Sequence, residues 1–98
     1  MRLAFVPIEE LKENIPIAER IALELLLFAT ESYELDRNSF DAQSILADAG
    51  IDSFSLLELV MFVERSYGIK IPLELLTPEN TKSIAAIANC AAGLNSLS

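Results

Sequence analysis

Histidine is absent from this 98-residue chain and cysteine occurs once. Without histidine, neither a Ser-His-Asp triad nor a histidine metal site can be assembled. The single thiol, Cys90, excludes an internal disulfide and a Cys-x-x-Cys centre, which suits a reducing interior. Cys90 flanks the apolar stripe Ile84, Ile87, Ala88 and Ala91, so it reads as a small core residue rather than a nucleophile. Basic residues are scarce too. Seven Lys and Arg against fifteen Asp and Glu leave a net charge of −8, which argues against nucleic acid, whose phosphates need clustered cations. The longest candidate membrane run, Leu25 to Ala29, falls far short of the roughly 20 residues a span requires. Arg2 and the apolar Leu3 to Val6 begin like a signal peptide, but Pro7, Glu9 and Glu10 end that run. A soluble, cytoplasmic monomer is expected.

The composition that remains, 52% hydrophobic over 98 residues, suits one small domain with one core. Such a domain is stable by on the order of 5–15 kcal/mol. Its acidity is uneven. Residues 31 to 64 hold eight acids and one base, Arg37, whereas the balance after Glu64 is +1. The acidic half therefore favours cationic protein surfaces as partners, because a concentrated charge steers encounter.

Four helical segments are legible. Pro16 opens a long helix through about Thr30 or Tyr33, with Ile17, Ile21, Leu25 and Phe28 inside and Glu19, Arg20 and Glu24 outside. An acidic connection from about Glu34 to Ile51 follows, with Phe40, Ile45 and Leu46 as expected buried anchors. A second long helix is expected from Ser53 to Tyr67, stopped by Gly68. Ile69-Lys70-Ile71-Pro72 reads as an extended link, Leu73 to Leu76 as one helical turn, and Thr77-Pro78-Glu79-Asn80 as a break. A last helix is expected over Thr81 to Ala92, ending at Gly93. Residues 1 to 15 read as an N-terminal extension, with Leu3 to Val6 extended and a short helix from Pro7 to Glu13; residues 16 to 92 form the main domain and 93 to 98 a disordered tail.

The second helix carries the functional signal. Gly50-Ile51-Asp52-Ser53 precedes it, Asp52 is placed to cap, and Ser55 and Glu58 stand at capping-box spacing. Ser53 should stand exposed at the helix N-terminus. At about 100° per residue, Leu56, Leu59, Val60, Val63 and Tyr67 form a wide core stripe, and Phe54, Leu57 and Met61 line up on the opposite side between Glu58 and Glu64. Surface helices are usually polar there. Either the strip docks a partner with basic residues, or another helix of the chain covers it.

These residues carry a family resemblance. Gly50-Ile51-Asp52-Ser53 opening Leu56-Leu57-Glu58-Leu59-Val60-Met61, then Tyr67-Gly68-Ile69-Lys70-Ile71-Pro72 and a closing Ser83-Ile84-Ala85-Ala86-Ile87, is similar to the acyl carrier proteins over about residues 16 to 92. The resemblance implies an all-α four-helix bundle, three longer helices and one short turn, in which Ser53 carries 4′-phosphopantetheine transferred from coenzyme A. It implies a non-catalytic protein modified by a phosphopantetheinyl transferase. Asp52 is then implied to help hold the magnesium ion that bridges transferase and coenzyme A, a role compatible with capping. Phe54, Leu57 and Met61 become contacts for partner enzymes, with Glu58 and Glu64 meeting their basic residues: an acyl- or aminoacyl-loading ligase, synthases and transferases. Phe54 and Met61 are the expected anchors. Leu59, Phe62, Ile71, Leu75 and Leu76 either line a slot for an acyl chain or are simply core.

Phe54 stands where fatty-acid carriers usually have leucine, Glu64-Arg65-Ser66 replaces a run of glutamates, and Lys70 and Leu73 replace further acids. With Leu76-Thr77-Pro78-Glu79-Asn80 before Ser83-Ile84, the chain looks more like carriers of specialised lipid, polyketide or nonribosomal peptide pathways. The alternative from a different class is an unmodified adaptor that binds a partner protein through the Phe54/Leu57/Met61 strip.

Overall fold

Pro16 sets the first boundary: its fixed φ and missing N–H suit a helix start, and α1 follows over Ile17–Ser32. The structure, a computed structural model, describes residues 15–95. The extended and helical pieces expected between Leu3 and Glu13 lie outside the described residues. After α1 come a 3-10 turn at Ala47–Ala49, α2 over Ser53–Tyr67, a second 3-10 turn at Leu73–Leu75, a short α3 over Pro78–Thr81 and α4 over Ile84–Asn95. The described residues contain no strand, and the all-α bundle of three longer helices and one short one is present.

Three cross-contacts define how α1 and α2 meet. The Tyr33 hydroxyl, just past the end of α1, donates to Glu58 Oε1 at 2.6 Å. The rings of Phe28 and Phe62 stack with centroids 4.4 Å apart. At the far end the Tyr67 hydroxyl donates to Glu24. Position 33 faces 58, 28 faces 62 and 24 faces 67, so one number falls as the other rises and the helices are antiparallel. Beneath this seam α1 contributes Ile21, Leu25 and Ala29, α2 contributes Leu59, Val60 and Val63, and α4 contributes Ile84, Ile87, Ala88 and Ala91, all buried. Burying one such large aliphatic side chain is worth about 1.5–3 kcal/mol, so these stripes drive the association of the helices.

The connection from residue 34 to 52 is fastened rather than free. Phe40 and Leu46 are buried in the core. Leu46 N–H donates to Lys82 carbonyl and Ala85 N–H to Ala42 carbonyl, each at 2.9 Å, tying the loop to the approach to α4. Asp36 and Asp41 accept from the N–H groups two residues ahead, each at 2.9 Å, giving the polar loop its turns.

Several expectations need correction. Ile45 is exposed, because Phe40 and Leu46 already fill the core positions that the loop reaches. Arg20 and Glu24 are half-buried rather than outside, since the seam with α2 draws Glu24 to Tyr67. The Ser55–Glu58 capping box does not form: Asp52 is the cap and Glu58 is taken by Tyr33. Thr77-Pro78-Glu79-Asn80 is no break. Thr77 Oγ1 accepts from Asn80 N–H at 3.2 Å with Pro78 at the first helical position, so the segment starts α3. The last helix starts later, behind Ser83, whose Oγ accepts from Ala86 N–H at 3.1 Å. It also runs past Gly93 to Asn95, because Gly93 stays right-handed and Leu94 packs against the core. Residues 93–95 are therefore helical, and 96–98 lie outside the described residues.

Gly68 ends α2 in the left-handed region at φ 62°, its N–H donating to Glu64 carbonyl. A Cβ there would touch nothing within 4 Å, so the whole cost of a side chain is conformational. Gly68→Ala should lower the unfolding free energy by about 1–2 kcal/mol in urea titration, with an unchanged m-value.

Candidate modification site

The first turn of α2 is built by a short backbone sequence. Gly50 adopts φ 85°, closing the 3-10 turn, and Ile51 N–H returns to Leu46 carbonyl at 3.1 Å. Leu46 is buried, so the chain leaves the core at Ile51 and reaches solvent at Asp52. Asp52, in extended backbone, accepts Ser55 N–H on Oδ1 at 2.9 Å. That backbone hydrogen bond holds its carboxyl below the usual aspartate value. Ser53 is the first helical residue and is exposed.

Beside it the apolar strip is uncovered among the described residues. Phe54 is 70% exposed, and Leu57 and Met61 are each 49% exposed. The two acids flanking the strip are both engaged. Glu58 is half-buried and accepts the Tyr33 hydroxyl. Glu64, also half-buried, accepts Ile71 N–H on Oε2 at 2.7 Å, so it braces the exit from α2. The structure thus brings Asp52, Ser53, Phe54, Leu57, Glu58 and Met61 onto one end and side of α2, and sets Glu64 to fastening the following segment.

The space between α2 and the segment after it, bounded by Val60, Ile71, Leu75, Leu76, Asn80, Thr81, Ile87 and Cys90, is too narrow for a water molecule. Leu59, Ile71 and their neighbours are core in this form of the chain. Burial raises the Cys90 thiol pKa, in keeping with a packing role. Among the described residues no cluster of three His, Cys, Asp or Glu side chains is placed to hold a metal ion, and no helix is long and apolar enough to cross a membrane.

Tyr33 and Leu73 are surface features that the sequence reading does not bring out. Tyr33, read from the sequence only as a helix boundary, bonds both Glu58 and, at 3.3 Å, the Ser55 carbonyl. Leu73 is 82% exposed beyond α2. An alternation of apolar and polar residues cannot reveal the first, because it depends on the register between two helices.

Comparison with known proteins agrees with this geometry. The family described as the phosphopantetheine attachment site matches residues 27–91, about two thirds of the chain. The chain belongs to this family, that of the acyl carrier proteins. The acyl carrier protein AcpXL of Brucella melitensis biotype 1 is 42% identical over 50 residues, covering 50% of this chain and 54% of that protein. AcpXL of Rhizobium meliloti (strain 1021) is likewise 42% identical over 50 residues, covering 50% of this chain and 53% of its own length. The chain spans about half the length of the curated relatives it matches. No solved structure matches it.

Membership implies a covalently attached 4′-phosphopantetheine, and the residues present fit that group. The helix N-terminus, with its unsatisfied N–H groups, favours an anion by about 0.3–1 kcal/mol. No described element walls off the exposed first residue of α2.

Tyr33 supplies a pH signature for the seam. Burial, then its bond to the Glu58 carboxylate, pushes its pKa from 10.0 up to about 12. A raised tyrosine pKa means the proton is held more tightly in the folded state, so its stabilisation is complete below pH 10 and lost as pH rises through about 12. The stability of wild type relative to Tyr33→Phe should therefore be constant from neutral pH to about 10 and fall as the pH rises from there toward about 12, read by urea titration at each pH.

Proposed function

We propose that this protein is an acyl carrier bearing 4′-phosphopantetheine on Ser53 and presenting acyl groups to partner enzymes. When bound, the arm supplies a terminal thiol that holds acyl groups as thioesters. The observation that carries the reading is the position of Ser53: an exposed hydroxyl opening α2 behind the Asp52 cap, next to the uncovered strip Phe54, Leu57 and Met61.

The chain's own residues then have separate tasks. Ser53 has no neighbouring base in the sequence apart from Asp52, whose Oδ1 accepts Ser55 N–H, so the transferase must supply the base. Asp52 orders the first turn and offers a hard oxygen beside the target. The strip provides apolar contact, and the acidity of residues 31–64 attracts basic docking surfaces. The name of the relatives, acyl carrier protein, favours acyl over aminoacyl cargo. The departures at Phe54, Arg65, Lys70 and Leu73 favour a specialised lipid or polyketide pathway over general fatty-acid synthesis. A cytoplasmic monomer served by a dedicated loading ligase completes the proposal, with residues 16–92 as the carrier domain.

Incubation with coenzyme A and a promiscuous phosphopantetheinyl transferase should add one phosphopantetheinyl group to the wild-type mass and none to Ser53→Ala. An unmodified wild-type chain would defeat the proposal. Phe54→Ala and Met61→Ala should each raise the transferase KM by about 5–30-fold, the loss of about 1–2 kcal/mol from an interface anchor, with circular dichroism unchanged.

A further inference from the structure

Glu58 occupies an unusual place on α2. It is next to Leu57, three residues before Met61 and four after Phe54, so it borders the uncovered strip on the side that faces α1. A free glutamate there would sample several rotamers, and a partner would have to order it on docking. In this protein the ordering is already done. The Tyr33 hydroxyl donates to Glu58 Oε1 at 2.6 Å, and the same hydroxyl lies 3.3 Å from the Ser55 carbonyl one turn earlier. Glu58 Oε2 takes no donor among the described residues.

We propose that Tyr33 is a positioning residue for partner recognition: it fixes Glu58 at the border of the Phe54/Leu57/Met61 strip so that a basic side chain of the partner meets a preset anion. This rests on the carrier reading above. The partner chemistry follows from the site: among the described residues the apolar strip is uncovered, and the carboxylate held on its α1 side has one oxygen that takes no donor. An arginine or lysine set beside an apolar pocket is its complement, and an arginine is suited to a carboxylate whose second oxygen is free. Tyr33 remains a neutral donor across the physiological range, so the arrangement is permanent rather than switched. Glu64 differs in what holds it: its Oε2 accepts the backbone N–H of Ile71, which ties it to the exit from α2 rather than to the seam with α1.

The Tyr33 hydroxyl bonds Glu58 and the Ser55 carbonyl and not Ser53, so its effect should appear in docking and not in the chemical step. The test is a double-mutant cycle with coenzyme A and a promiscuous phosphopantetheinyl transferase as the basic-surfaced partner. Steady-state kcat and KM for the full chain are measured for wild type, Tyr33→Phe, Glu58→Gln and the double variant, at low and high salt. Tyr33→Phe should raise KM about 2–10-fold with kcat unchanged, the expected effect of releasing one rotamer-rich contact. In the Glu58→Gln background the same change should do nothing further, and the Tyr33 effect should shrink at high salt. An unchanged KM, or an equal rise in both backgrounds, would overturn the inference. The equal rise is what simple loss of folded protein would produce. A wild-type chain that takes no group at all overturns the carrier reading and this inference with it, whereas a modified wild type with an additive cycle overturns this inference alone.

Discussion

Helix α2 has two apolar stripes and can bury only one. The choice is made by its antiparallel seam with α1, where Tyr33 meets Glu58, Phe28 stacks on Phe62 and Tyr67 meets Glu24. In that register Leu59, Val60 and Val63 turn inward against α1 and α4, and Phe54, Leu57 and Met61 are left in water. A rotation of α2 about its axis would break both tyrosine–carboxylate bonds and expose the wider stripe. Three of the large apolar side chains exposed on the described surface therefore lie side by side on α2, the kind of contiguous patch that marks an interaction surface.

The same seam separates stability from the exposed tip. The residues that hold the bundle together lie along α1, α2 and α4, while the first turn of α2 is organised locally by Gly50 and the Asp52 side chain. Ser53 projects from that turn without sharing in the core. A phosphodiester attached there would meet the positive end of the helix and disturb no packing. Glu64 shows the complementary economy at the other end of α2, where one carboxylate and Gly68 together redirect the chain toward Ile71.

Much of this was legible in the residues. The spacing of Leu59, Val60 and Val63 gave the inner face of α2, Asp52 before a hydrophobic run gave its start, and Gly68 gave its end. The exposure of Ser53 follows from those signals, because the residue after the cap lies at the tip of the helix, ahead of the buried stripe Leu59, Val60 and Val63. The losses have specific causes. Thr77-Pro78 reads as a break, yet its threonine caps a helix and its proline occupies the first position. Ile45 is exposed because a loop of this length reaches the core at two points, Phe40 and Leu46, and not at three. Gly93 reads as a stop, yet it does not turn left-handed here, and the helix continues through it to Leu94, which packs against the core. The engagement of Glu58 and Glu64 was illegible from one strand of sequence: each depends on a partner that register or a reversed loop brings up, Tyr33 from 25 residues away and Ile71 from seven.

The central claim is that the hydroxyl at position 53, and no other, is the tether. Ser39, Ser44, Ser53 and Ser55 all fall between Arg37 and Arg65, so one tryptic peptide of the transferase-treated protein contains all four. Tandem mass spectrometry of that peptide should place the phosphopantetheinyl group on Ser53. Its presence on Ser55, whose backbone N–H is bonded to Asp52, or on either loop serine would contradict the account.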